Sequence, residues 1–120
     1  VIDGLYLLGG TGNASWEKSH NLFYGMKNLA MSANITVIVS TQATRDAANL
    51  YTPPRADQVA FGDALIRASD VAMSMSLLED QPGKRAVQFQ KYRDGDLDTD
   101  ATFMTWDVDR GDIEELEDDF

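Results

Sequence analysis

Ile35-Thr36-Val37-Ile38-Val39-Ser40-Thr41-Gln42 decides how this chain reads: a β-branched run ends in two hydroxyls and an amide, as a buried strand does at its carboxyl end. Upstream, Val1-Ile2-Asp3-Gly4-Leu5-Tyr6-Leu7-Leu8 is too continuously apolar for a half-exposed strand and favours a parallel sheet covered on both faces. Between the two, Gly9-Gly10-Thr11-Gly12-Asn13 reads as a flexible loop. A helix is expected from a cap at Asn13 or Ser15 to about Ala33, with Leu22, Phe23, Met26, Leu29 and Ala30 on one face and Asn34 closing it. Strand, helix and strand make a parallel βαβ unit. Ligands of such sheets gather at the carboxyl ends of the strands, where Gln42 sits.

Downstream, residues 43 to 58 carry Pro53-Pro54 and two arginines with little periodicity, and read as a long mobile loop. A short helix is expected over Gln58 to Ser69, followed by a strand from Val71 to Leu78. A turn at Gln81-Pro82-Gly83-Lys84 leads into a return strand from Arg85 to Tyr92, and Thr102 to Trp106 adds an antiparallel edge. The expected fold class is α/β, a parallel βαβ unit with further strands and an antiparallel C-terminal hairpin. Residues 111 to 120, dense in carboxylates, are expected to form a disordered tail.

The chain has 120 residues, enough for one modest core, and Val1 already lies inside an apolar strand, so it reads as a fragment of a longer protein. It has no cysteine, hence neither a disulfide framework nor a thiolate metal site. No apolar run approaches the roughly 20 residues of a membrane span, and no secretory signal appears, so a cytoplasmic protein is expected. The net charge of −10 argues against a general basic face for nucleic acid. Its distribution softens that argument, because the stretch from Asp107 onward carries −7 and leaves the preceding body at −3. Contact with DNA would then rest on a few residues or on several subunits acting together.

Three features occur in an informative order. Asp3 follows apolar residues on the first strand, Thr36-Val37-Ile38-Val39-Ser40-Thr41-Gln42-Ala43-Thr44-Arg45 ends in an amide with an arginine three residues on, and Lys91-Tyr92-Arg93-Asp94-Gly95 closes a later strand. Together they resemble the second half of the RecA-type ATPase core of DnaB-like hexameric replicative helicases, including those of phages. The resemblance runs from Val1 to about Asp109 through the order of its motifs. It implies that residues 1–110 are the C-terminal part of a RecA-like ATPase domain binding ATP and Mg2+.

Within that resemblance, Asp3 is the strand-end carboxylate that holds magnesium, usually through water; a hard Mg2+ needs only one or two protein carboxylates. Gln42, with a donor and an acceptor on one amide, is the γ-phosphate sensor. Lys91 and Arg93, two apart and expected on the strand face begun by Val87 and Phe89, reach ATP bound by the neighbouring subunit of a hexameric ring. Taken alone, the same pair reads as solvated cations facing Asp94, Asp96 and Asp98. Arg45 and Arg55, in the place of a central DNA-contacting loop, are candidates for phosphate contacts to single-stranded DNA. Arg67 lies near a nucleotide or an interface by the same resemblance, or is a helix-surface cation.

The phosphate cradle is absent: no Gly-Lys-Ser/Thr follows Gly9-Gly10-Thr11-Gly12, and Gly83-Lys84 is followed by Arg85. His20 is the only histidine and has no partner pattern, while Trp16, Trp106 and the methionines read as packing residues. Glu114 to Phe120 resembles the acidic, aromatic-tipped termini by which some phage helicases and single-stranded-DNA-binding proteins engage replication partners; a solubilising tail is the alternative. The resemblance implies an ATP-driven motor that translocates on single-stranded DNA and separates the duplex, this portion alone being inactive. The alternatives are a RecA-like recombinase and a non-catalytic RecA-fold adaptor docking through the acidic tail.

Overall fold

A computed structural model describes residues 1–5, 8–10, 12, 14–43, 51–58, 62–97 and 100–117. The protein is α/β and divides into two compact units, one of Val1–Asp46 with Ala56–Asp70 and one of Ala47–Arg55 with Val71–Phe120.

The first unit is organised by helix α1, Ser15–Ala33. Its start lacks a side-chain cap: Ala14 is extended, and its carbonyl accepts the Lys18 N–H at 3.0 Å. Ser15 is the first helical residue rather than the cap, and Asn13 lies outside the described residues. Glu17 in the first turn suits the positive end of the helix dipole. The end is as expected. Asn34 takes the left-handed conformation at φ 53°, and the Ile35 N–H donates to the Ala30 carbonyl at 3.1 Å, which stops the helix. Phe23 is buried with Leu5 and Ala68, and Leu22 and Met26 pack beside them, whereas Leu29 remains 45% exposed and leaves the expected apolar face.

Ala68 comes from helix α2, Gly62–Ala68; of the helix expected over 58–69, Gln58 belongs to a separate 3-10 turn, Ala56–Gln58, and residues 59–61 lie outside the described residues. Residues 44–50 of the expected mobile loop lie outside the described residues. Lys27 on α1 pairs with Asp70 just past α2 at 2.5 Å. No helix among the described residues is long and apolar enough to cross a membrane.

Parallel pairing is present but brief. Ile2 and Val39 form a parallel bridge, with Ile2 N–H donating to the Ile38 carbonyl at 2.8 Å and Ser40 N–H donating to the Ile2 carbonyl at 3.0 Å. Two long parallel strands were expected; among the described residues they meet in this bridge.

The second unit is a four-stranded sheet, antiparallel throughout, in the order β1-β2-β3-β4: Val71–Leu78, Gln81–Tyr92, Thr102–Asp107 and Asp112–Glu115. The first reversal falls at Glu79-Asp80 and not at Gln81–Lys84. Asp80 sits at φ 59°, a conformation its short polar side chain tolerates, and Gln81 already pairs with Leu78. The Pro82-Gly83-Lys84 signal marks an irregularity, since the next pair is Leu77 with Arg85. Arg85 Nη1 donates to the Pro82 and Lys84 carbonyls at 2.8 Å each and holds that irregularity closed.

The acidic tail is also corrected. Asp112–Glu115 pairs with β3 as a strand, Trp106 opposite Ile113. The turn that returns it is built by Asp107, whose Oδ1 accepts the N–H groups of Asp109 and Arg110 at 3.1 and 3.2 Å, and whose carbonyl accepts Gly111 N–H at 2.8 Å. Backbone pairing needs no apolar side chains on the outer edge, so the local charge did not prevent it. Residues 118–120, including Phe120, lie outside the described residues.

Candidate functional site

The best-defined arrangement of sequence-selected residues is at the carboxyl ends of the two parallel-paired segments. Asp3 follows the bridge residue Ile2, and Ser40 follows Val39. Parallel pairing puts both successors at the same end, and the Ser40 hydroxyl donates to Asp3 Oδ1. The same hydroxyl accepts the Gly4 N–H at 2.8 Å, and the Ser40 carbonyl accepts the Leu5 N–H at 3.0 Å. Gly4 is buried at φ 72°, a backbone conformation suited to glycine that turns its N–H toward Ser40. Asp3 itself is exposed, as is Gln42 two residues beyond Ser40.

These donors suit a hard cation held mainly by water. The Asp3 carboxylate, held by the neighbouring Ser40 hydroxyl, is an oxygen group of the type Mg2+ takes, and Mg2+ asks for few protein ligands. Among the described residues no three His, Cys, Asp or Glu side chains are grouped to hold a metal ion.

Lys91 and Arg93 belong to the second unit. Their expected alignment is overturned by a bulge. Met73 pairs with Phe89 but Ala72 pairs with Lys91, so Gln90 is an extra residue and alternation breaks there. Adjacent Ala72 and Met73 project to opposite faces, which puts Lys91 on the face away from Phe89. Tyr92, opposite Val71, returns to the Phe89 face. Strand β2 ends at Tyr92, so Arg93 is in the following turn, where it is exposed. The two cations therefore do not continue a single row from Val87 and Phe89.

Arg55 is exposed and described; Arg45 lies outside the described residues. Arg67 is exposed in the last turn of α2, where a cation complements the helix dipole. His20 stacks on Tyr24 one helical turn along α1, with ring centroids 4.6 Å apart. A surface depression of about 330 Å³ in the second unit is lined by Gly83 and by Thr105 to Asp109, none of them a sequence-selected site residue.

No protein-family model and no curated protein matches the chain. Sequence reasoning took Ser40 for one hydroxyl among several. Its distinction is a contact across 37 positions to Asp3, which no local pattern encodes.

Proposed function

We propose that this chain is the later part of a RecA-type ATPase core from a DnaB-like, ring-forming replicative helicase that acts on single-stranded DNA in the cytoplasm, or in that of a host cell if phage-encoded. The observation that carries the reading is the Asp3–Ser40 hydrogen bond across the parallel Ile2–Val39 pairing. It joins the carboxylate after the first bridged segment to the hydroxyl-rich segment leading to Gln42, and this proximity supports the reading.

In this reading Asp3 would hold magnesium, which with ATP bound would supply neutralisation of phosphate charge. The Gln42 amide senses the terminal phosphate and passes its state to the following residues, among them Arg45. Lys91 and Arg93 act on the site of an adjacent subunit; an arginine so placed is worth about 10³ to 10⁵ in rate. Exposure of Arg93 in a turn beyond the sheet suits a residue that reaches another molecule. Arg55 and Arg45 would contact DNA phosphates.

The test uses the longest protein encoded in frame with Val1–Phe120. Expected are DNA-stimulated ATP hydrolysis, its loss by about 10³ in Arg93→Ala with ATP binding retained, and closed rings in electron micrographs. Filaments on single-stranded DNA would favour a recombinase. Absence of turnover together with intact partner binding would favour the adaptor.

A further inference from the structure

We propose that Ser40 is the positioning residue for Asp3, fixing the carboxylate that holds the metal and tying it to the segment that leads to Gln42; the inference rests on the function proposed above. A serine hydroxyl has one proton to give and lone pairs to receive. Here the proton goes to Asp3 Oδ1, and the Gly4 N–H is received at 2.8 Å, so both roles are taken and the direction of the hydroxyl is set. The backbone of Ser40 is held as well, its N–H on the Ile2 carbonyl and its carbonyl on the Leu5 N–H, each at 3.0 Å. Residues 2 to 5 thus surround Ser40 with four hydrogen bonds.

Two consequences follow for the carboxylate. With Oδ1 engaged, rotation of the Asp3 side chain is restricted, so the ordering that metal binding would otherwise require is partly complete beforehand. Because the restraining group lies two residues before Gln42, a displacement of that segment is also a displacement of the Asp3 partner. The route from phosphate sensor to metal carboxylate is Gln42, Thr41, Ser40, Asp3, three of them consecutive in the chain.

The experiment measures Mn2+ binding by electron paramagnetic resonance, with a slowly hydrolysed ATP analogue, in the longest in-frame protein and its Ser40→Ala, Ser40→Thr, Ser40→Val and Asp3→Asn variants. Loss of an outer-shell partner costs about 10- to 100-fold in metal affinity, so Ser40→Ala should weaken Mn2+ binding by about tenfold. Affinity for the analogue without metal should be unchanged. Ser40→Thr should restore Mn2+ binding and the isosteric Ser40→Val should not, a comparison that isolates the hydroxyl even if the alanine variant folds poorly. Hydrogen exchange at the Gly4 amide should quicken in Ser40→Val and not in Ser40→Thr. Equal Mn2+ affinity in the threonine and valine variants, with Asp3→Asn still defective, overturns the role of Ser40 and leaves the proposed function standing. Unchanged Mn2+ affinity in Asp3→Asn removes the metal role of Asp3, and both proposals with it.

Discussion

The Phe89 and Tyr92 rings lie on one face of β2 with centroids 5.9 Å apart, three positions apart in a strand whose regular period is two. The bulge at Gln90 makes the contact possible, and it has a second effect. Tyr92 is turned so that its ring lies over Gly95, where an added Cβ would overlap the ring. The turn carrying Arg93 is therefore folded against an aromatic side chain that the bulge has aimed.

Gly95→Ala should displace the Tyr92 ring and loosen this turn. The expected cost is about 1 kcal/mol, at the low end for overpacking because Tyr92 is half exposed and its ring can swing outward. Ring-current shifts of the Gly95 α-protons measure the contact directly. Shifts at random-coil values in the unaltered protein would contradict the packing.

Ser76 is 6% exposed, pairs with buried Ala86 across β1 and β2, and its Oγ has no hydrogen-bond partner among the described residues. A desolvated hydroxyl without a partner opposes folding. Ser76→Ala should raise stability by about 1 kcal/mol, seen as a higher urea midpoint with an unaltered slope. A fall in the midpoint would mean that the hydroxyl is satisfied in solution.

Leu116 N–H donates to the Phe103 carbonyl at 2.8 Å, so by the antiparallel alternation Thr105 and Glu114 are a hydrogen-bonded pair and Trp106 and Ile113 a closer, non-bonded one. Glu114→Pro should remove a ladder bond, detach β4 and shift Trp106 emission to the red, read in a Trp16→Phe background. Ile113→Ala should cost up to about 1 kcal/mol while keeping the strand paired. Emission indifferent to both changes would restore the disordered tail that the charge pattern suggests.

Helix α1 was legible because its determinants are local: apolar residues three and four apart, and an asparagine able to take the left-handed conformation where the pattern stops. The strands β2 and β3 were legible in outline from their β-branched and aromatic residues, and β1 from its alternation of apolar with small or polar residues. The Pro-Gly pair misled the placement of the turn, since a two-residue reversal at Glu79-Asp80 left those residues to an irregularity beside it. For the site, residue types were readable and their alignment was not. Lys91 and Arg93 have the spacing of a shared strand face, but the extra residue Gln90 turns Lys91 away from the Phe89 face and the strand ends at Tyr92, before Arg93.

The sequence by itself determined the α/β class, the helix and its end, and the pairing tendency of the segments around Asp3 and Ser40, all of which follow from backbone preferences and hydrophobic period over a few residues. Only the tertiary structure decided that the Ser40 hydroxyl meets Asp3, that Gln90 bulges, that Ser76 and not Met73 faces inward on β1, and that the acidic Asp112–Glu115 becomes a strand. Each of those depends on a partner in another segment. A hydrogen bond or a register is a property of two segments, and neither segment carries it alone.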